Sequence, residues 1–209
     1  ENPNGIAEAF IVGKDFLKQD PSVLILGDNI FYGNSLPARL SKITESKNQA
    51  TILACIVNNP SQYGIVNFNK DQEIISLEEK PTHPKSKYAI TGLYFYDHNV
   101  IEIAKSLKPS SRGELEITDL NKVYLENKLL DLEIMGRGDA WLDAGTNDSF
   151  IQATQFIHTI EKRQGLKIAC LEEIAWKKEW INDEQLEKLA KNILGSDYGK
   201  YLYNLLEIG

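Results

Sequence analysis

The sequence is poor in cysteine, in histidine and in long apolar runs. Its two cysteines, Cys55 and Cys170, are too few for a disulfide framework, and Cys55 lies in an apolar stretch that predicts a reduced, buried thiol. No apolar run approaches the roughly 18 residues of a membrane-spanning helix, so we predict no membrane partner. The three histidines lack metal-ligand spacing, and no zinc motif, Walker loop or Ser-His-Asp arrangement stands out.

Positive charge is also in the minority. The 209 residues include 23 Lys and Arg against 30 Asp and Glu, a net charge of −7. A nucleic-acid-binding surface needs a basic face, so this balance argues against a nucleic-acid partner. The only methionine is Met135 and the chain starts at Glu1, so we hypothesise that it is a fragment lacking upstream residues. We expect a cytoplasmic location, because these residues contain no apolar segment typical of a signal peptide.

Apolar runs and turn residues predict an α/β fold with a helical tail. Residues 21–27 and 50–57 are continuous apolar runs, which favour central strands buried on both faces. Residues 63–68 and 73–78 flank a polar turn and predict a hairpin. Further strands are predicted at 88–96 and 130–135, and helices at 5–19 (well covered by the fold), 35–47, 99–106, 116–126 and 146–163. We predict a body over residues 1–165 and a helical extension over residues 166–209.

Two aspartates lie where an α/β sheet would bind a ligand. Asp28 directly follows a predicted strand, and ligands of such sheets lie outside the carboxyl ends of the strands. Asp143 lies just before a predicted helix, for which Thr146 is a good N-cap. Each aspartate alone is equally well explained as a turn or capping residue. Together they are the ligands that Mg²⁺ takes when it also binds substrate phosphates.

A charged triplet and a basic turn supply candidates for binding an anionic ligand. Lys80 ends a predicted strand and could contact a phosphate, and Glu79 could accept hydrogen bonds from sugar hydroxyls. Arg112 opens a predicted helix, where an arginine suits a phosphate or an ion pair. Gly5 and Gly64 could let the backbone approach a ligand closely. A solvated strand end, a helix cap and ordinary turns explain the same residues.

Seven segments in order carry a resemblance over nearly the whole chain. They are NGIAEAF (4–10), LILGDNIFYG (24–33), YG (63–64), SLEEKP (76–81), TGLYFYD (91–97), RGELEITD (112–119) and GDAWLDAGT (138–146). The sequence resembles the sugar nucleotidyltransferase family and, within it, the thymidylyltransferases that act on glucose 1-phosphate. The resemblance implies a Rossmann-like nucleotidyltransferase fold with a mixed central sheet, Mg²⁺ as cofactor, dTTP and glucose 1-phosphate as substrates, and a homo-oligomer, typically a tetramer.

The resemblance also implies roles for individual residues. Asp28 and Asp143 match the metal-binding aspartates, Lys80 matches the lysine on the sugar phosphate, and Arg112 assists it. The sugar pocket is matched by Asn29, Gly64, Glu79, Ile90 and Tyr94, and a glycine at the thymine base is matched by Gly5. A product-feedback site at a subunit interface would lie near residues 32–33 and Arg137.

The chain departs from the family in lacking its glycine-rich triphosphate loop and the first strands of its sheet. We therefore expect little transferase activity from these residues alone, and an exposed sheet edge liable to aggregate. Two other functions stay open: a nucleotidyltransferase for another base, such as a uridylyltransferase, and a non-catalytic nucleotide-sugar binding module. A nicotinamide oxidoreductase is disfavoured, because no Gly-x-Gly-x-x-Gly motif opens a helix.

Overall fold

A computed structural model describes residues 4–45, 50–71 and 73–208, and within them a mixed α/β fold followed by helices. The strands are β1 (Ser22–Ile25), β2 (Asn29–Tyr32), β3 (Ala50–Ile56), β4 (Gly64–Phe68), β5 (Ile74–Glu79), β6 (Tyr88–Tyr96), β7 (Leu130–Ile134) and β8 (Ala140–Asp143). The helices are α1 (Glu8–Val12), α2 (Lys14–Leu17), α3 (Leu36–Glu45), α4 (Val100–Ser106), α5 (Ile117–Glu126), α6 (Asn147–Gln164), α7 (Leu171–Lys177), α8 (Asp183–Asn192) and α9 (Asp197–Ile208). The predicted helix over 35–47 ends partly outside the described residues.

Strand β6 is the centre of a six-stranded sheet. β3 pairs along one edge of β6, while β4 and β1 pair with the two halves of the other edge. β5 extends the sheet beyond β4 as the predicted hairpin, and β7 joins β3 in parallel, so the sheet is mixed. The nine residues of β6 are almost all buried, because helices and neighbouring strands cover both of its faces. The predicted mixed central sheet is therefore confirmed.

Three local predictions are wrong. The first apolar run is not buried on both faces, since Val23 and Ile25 of β1 are 53% and 57% exposed and only β6 pairs with this strand among the described strands. The helix expected over 5–19 is divided at Gly13 into α1 and α2. It is buried on one face only, so Phe16 is 88% exposed. Cys55 is free as predicted, but it is half-buried rather than buried.

The small antiparallel ribbon of β2 and β8 was not predicted. Its register sets Asn29 opposite Asp143 and Phe31 opposite Trp141. Asp28, just before β2, accepts the N–H of Ala144, just after β8, through its carbonyl oxygen at 2.8 Å. The ribbon therefore joins the two predicted metal aspartates directly. Thr146 caps α6 as predicted, because its Oγ1 accepts the N–H of Ser149 at 3.2 Å.

The chain divides into two compact units, residues 1–153 and 154–209, with the division inside α6. In the second unit, α7, α8 and α9 pack around Cys170, Leu186, Ala190 and Leu202, as expected for a helical tail. The sequence-based boundary after residue 165 stays a prediction about domain organisation. Within the described residues, no helix combines the length and apolarity that crossing a membrane would need.

The hairpin that positions the cleft described below offers a matched test of packing. Ile65 of β4 is fully buried, whereas Ile75 of β5 is 59% exposed. We expect Ile65→Ala to lower the free energy of unfolding by about 2–5 kcal/mol, because it removes buried methyl groups and leaves a cavity. Ile75→Ala should cost less than about 1 kcal/mol, which is the range of strand propensity. Urea denaturation measures both, and equal losses would contradict this packing.

Candidate active site

A cleft of about 170 Å³ beside the ribbon gathers most of the predicted site residues. Its walls come from the turn after β1, from β4, β5 and β6, from the start of α5, and from β8. The predicted residues that line it are Asp28, Asn29, Gly64, Glu79, Lys80, Ile90, Tyr94 and Asp143. Segments far apart in the sequence therefore bring eight of the ten predicted site residues to one place.

The two aspartates lie side by side in this cleft. A methyl group placed on Gly145 would lie 3.0 Å from Asp143 Oδ1 and 3.2 Å from Asp28 Oδ2, so these two oxygens are at most about 6 Å apart. Gly145 has no such methyl group, and its N–H donates to Asp143 Oδ1 at 3.0 Å. The carboxylates thus face one open space, where a side chain at position 145 would intrude.

This pair fits a magnesium ion that completes its shell with phosphates and water. Mg²⁺ in proteins is usually bound through one or two carboxylates plus substrate phosphates, rather than by a full protein cage. In the described part of the chain, no group of three or more His, Cys, Asp or Glu side chains is placed to hold a metal ion. Asp28 and Asp143 face one space in the cleft, so they are residues that could bind such an ion together with substrate phosphates.

The side chain of Asn29 is hydrogen-bonded to two parts of the cleft wall, β8 and β6. Its Oδ1 accepts the indole N–H of Trp141 at 2.6 Å and the backbone N–H of Gly92 at 2.9 Å. Its Nδ2 donates to Asp28 Oδ1 at 2.8 Å. One side-chain amide thereby ties the ribbon to the central strand β6 and to the first aspartate.

Tyr63 performs a similar function for the second aspartate. Its ring packs edge-on against the ring of Trp141, with centroids 5.1 Å apart, and its phenol lies near the Asp143 carboxylate. Burial raises the pKa of the Tyr63 phenol, and the nearby Asp143 carboxylate raises this pKa further. The phenol therefore stays protonated at neutral pH and is available as a donor to Asp143.

Lys80 directly follows β5 at the mouth of the cleft, and its side chain is exposed. Its φ of 40° lies in the left-handed region, and its N–H donates to the carbonyl oxygen of Tyr63 at 3.1 Å. Across the described ranges, no carboxylate lies within ion-pair distance of its ammonium group. The charge of Lys80 is therefore available to an anionic ligand.

Glu79 lies in the wall of the cleft that does not belong to the β2–β8 ribbon. It is beside Gly64 and α5. Thr118 Oγ1 donates to Glu79 Oε2 at 2.5 Å, which orients the carboxylate. A methyl group on Gly64 would lie 2.9 Å from Thr118 Oγ1, so only glycine leaves this contact undisturbed. Tyr94 is 4% exposed; burial and then the charge of Glu79 raise the pKa of its phenol.

Two predicted residues lie outside the lining of the cleft. Arg112 is not at a helix start, because α5 begins only at Ile117. Its guanidinium lies 3.5 Å from Glu79, 3.2 Å from Glu114 and 3.8 Å from Glu116, so carboxylates already surround its charge. Gly5 has a φ of 114° and packs against the backbone of Leu115, where a Cβ would clash.

Several lining residues were missed from the sequence, and Tyr63, Thr118 and Trp141 are among them. Trp141 lies two residues before Asp143 on β8, and alternate residues of a strand share a face. Recognising the strand would therefore have assigned Trp141 to the side of Asp143. Tyr63 precedes the predicted Gly64, and Thr118 follows Arg112 by six positions, but neither carries a signal of its own.

The close approach at Gly64 gives a test of the cleft. Gly64→Ala should displace Thr118 and weaken its hydrogen bond to Glu79. Because hydrogen bonds to charged groups contribute about 1.5–3 kcal/mol, we expect roughly tenfold weaker binding of glucose 1-phosphate. Gly27→Ala is the control, since a methyl group there meets no atom within 4 Å. Titration calorimetry of the natural full-length protein measures both. Unchanged affinity in Gly64→Ala would remove Glu79 and Thr118 from the site.

Comparisons with known proteins identify the family of this chain. The family model described as "Nucleotidyl transferase" matches residues 1–160. The chain is 50% identical over 206 residues to a glucose-1-phosphate thymidylyltransferase from Neisseria meningitidis, an alignment that covers 99% of this chain and 72% of the relative. It is also 50% identical over 207 residues to a glucose-1-phosphate thymidylyltransferase from Mycobacterium tuberculosis, with the same coverage.

Solved structures share the fold. A protein assigned as glucose-1-phosphate thymidylyltransferase from Bacillus anthracis, in complex with sucrose, superposes with a TM-score of 0.66 and 42% identity over 75% of this chain and 62% of that chain. A UDP-glucose pyrophosphorylase complexed with UDP-glucose has a TM-score of 0.67 over 76% of this chain and 64% of that chain, and at 20% identity it shows the fold alone. The chain belongs to the nucleotidyl transferase family, among the glucose-1-phosphate thymidylyltransferases.

Proposed function

We propose that this chain supplies the sugar-phosphate and metal side of an active site that transfers a thymidylyl group from dTTP to glucose 1-phosphate. The products are dTDP-glucose and pyrophosphate. The observation that carries the proposal is the meeting of Asp28, Asp143 and Lys80 in one cleft, because the reaction needs carboxylates for a metal and a cation for a phosphate in the same place. Relatives at 50% identity that carry the name of this activity add support.

The chemistry is a displacement at phosphorus. A phosphate oxygen of glucose 1-phosphate attacks the α-phosphorus of dTTP, the bond from that phosphorus to the oxygen bridging to the β-phosphate breaks, and pyrophosphate leaves with that oxygen. Such reactions depend mainly on positioning and on neutralising charge. The Lys80 ammonium would bind the attacking phosphate as a point charge, since it is exposed at the cleft and has no carboxylate partner among the described residues.

Asp28 and Asp143 would hold Mg²⁺. The ion, when bound, supplies positive charge that the phosphates share during the displacement. The chain's own contribution is to keep the two carboxylates facing one space: Gly145 donates to Asp143, and Asn29 donates to Asp28.

Sugar recognition would fall to the wall around Glu79. Its carboxylate accepts from Thr118 and keeps lone pairs for sugar hydroxyls. Gly64 lets Thr118 approach Glu79, and the remaining proposed contacts are Asn29, Ile90 and Tyr94, all in the cleft lining. Gly5 at the base and Arg112 at the phosphate stay weaker assignments, because neither lines the cleft.

The nucleotide base, the oligomeric state and the cellular location are separate parts of the proposal. A uridylyltransferase is less supported, since its named structural relative is 20% identical while relatives at 50% identity are named for thymidylyl transfer. A purely binding module would not need two carboxylates beside an unpaired lysine. A homo-oligomer and a cytoplasmic location stay predictions from the family.

Removal of single charges tests the proposal in the natural full-length protein. We expect Lys80→Gln, Asp28→Asn and Asp143→Asn each to reduce pyrophosphate release from dTTP and glucose 1-phosphate by about 10²–10³-fold, as loss of one preorganised electrostatic contact does elsewhere. A coupled pyrophosphate assay and detection of dTDP-glucose measure the reaction, with UTP offered in parallel.

The matched control is Lys85→Gln, because Lys85 is 77% exposed, pairs with Glu78 at 3.7 Å and is absent from the cleft lining. It should leave turnover unchanged. Full activity in Lys80→Gln would refute the assignment of the lysine. Metal-independent binding of dTDP-glucose without any turnover would instead support the binding module.

A further inference from the structure

The orientation of the Asn29 amide is fixed by three groups. Two N–H donors, from Trp141 and Gly92, converge on Oδ1, and the third partner, Asp28 Oδ1, accepts from Nδ2. A flipped amide would place its NH₂ group against two N–H donors and its carbonyl oxygen against a carboxylate. All three contacts would become repulsive, so only one orientation is compatible with these neighbours.

Gly92 gives an independent observation of the same arrangement. A methyl group on Gly92 would lie 2.5 Å from Asn29 Oδ1 and 2.6 Å from Asn29 Cγ. The buried central strand therefore has a glycine at the one point where the amide of Asn29 rests on it. The backbone N–H of Gly92 can reach Oδ1 only because no side chain intervenes.

Trp141 connects this amide to both aspartates. Its indole N–H donates to Asn29, whose amide donates to Asp28, while its ring packs against Tyr63, whose phenol lies near Asp143. We propose that Trp141 is a positioning residue that acts through the Asn29 amide to hold the carboxylate of Asp28 for its metal. This inference rests on the proposed function, since it names how one carboxylate of that site is kept in place.

These three contacts also determine which hydrogen-bonding group of Asn29 remains for a ligand. Both lone-pair directions of its Oδ1 are occupied by Trp141 and Gly92, and one Nδ2 proton is directed at Asp28. The second Nδ2 proton is the remaining hydrogen-bonding capacity of this side chain. Asn29 therefore presents a donor to the cleft and selects a ligand atom that accepts, such as a hydroxyl or phosphate oxygen.

A double-mutant cycle in the natural full-length protein tests the role of Trp141. Trp141→Phe keeps an aromatic ring but removes the N–H, and Asn29→Ala removes the link to Asp28. Binding of Mn²⁺, followed by electron paramagnetic resonance in the presence of dTTP, gives a readout that does not depend on turnover. We expect about tenfold weaker Mn²⁺ binding in Trp141→Phe, as for other groups that orient metal ligands. In the Asn29→Ala background the same change should have no further effect.

The control is Trp176→Phe, which removes an equivalent indole donor, 2.7 Å from Asp183 Oδ1, in the unit of residues 154–209. It should leave Mn²⁺ binding unchanged. Unchanged Mn²⁺ affinity in Trp141→Phe, or effects that add in the double variant, would overturn the proposal. If Trp141→Phe does not fold by circular dichroism, Asn29→Ala alone decides, because unchanged Mn²⁺ affinity there also overturns it. If the variants lose Mn²⁺ affinity in this coupled way while the wild type transfers no thymidylyl group, the positioning role is supported and the proposed function is refuted.

Discussion

The antiparallel pairing of β2 with β8 is the constraint on which the cleft depends. It sets Asn29 opposite Asp143 and brings two carboxylates from distant parts of the sequence within about 6 Å. Two unit charges at that separation repel by about 1–3 kcal/mol for effective dielectric constants of roughly 80 to 20. Hydrogen bonds to charged groups contribute about 1.5–3 kcal/mol each. The donors on Asp143 and Asp28, from Gly145 and Asn29, therefore offset repulsion between the two carboxylates.

The residues that carry charge at the cleft could be predicted, whereas the frame around them could not. Asp28 and Lys80 follow predicted strands, and a ligand site at the end of a strand is a general tendency of α/β sheets. In the structure β1 and β5 run in opposite directions, and their ends meet beside the middle of β6. The ribbon strands are four residues each, too short for an alternating pattern to stand out from a turn. Trp141 was missed for that reason, since an aromatic residue in an unassigned segment is more often a core residue than a site residue.

Other differences have the same origin in partners that lie far away in the sequence. An apolar run such as Ser22–Ile25 indicates a strand, but it does not say whether one or two faces will be covered. The role expected for Arg112 depended on a local helix start. Its actual neighbours include Glu79, which comes from β5, so the charge available at Arg112 is decided by a contact that no local pattern contains. By contrast the hairpin of β4 and β5 was predicted, because both strands and their turn are contiguous.

Tyr63 contacts both walls of the cleft. Its carbonyl oxygen accepts the backbone N–H of Lys80 at 3.1 Å, and its phenol lies near the Asp143 carboxylate. The residue that holds the backbone of Lys80 therefore also lies beside one of the two aspartates. Its ring in turn contacts Trp141, whose indole holds Asn29. Short contacts of Tyr63 with Lys80 and Trp141 therefore connect the hairpin to the ribbon, in addition to the pairing within the large sheet.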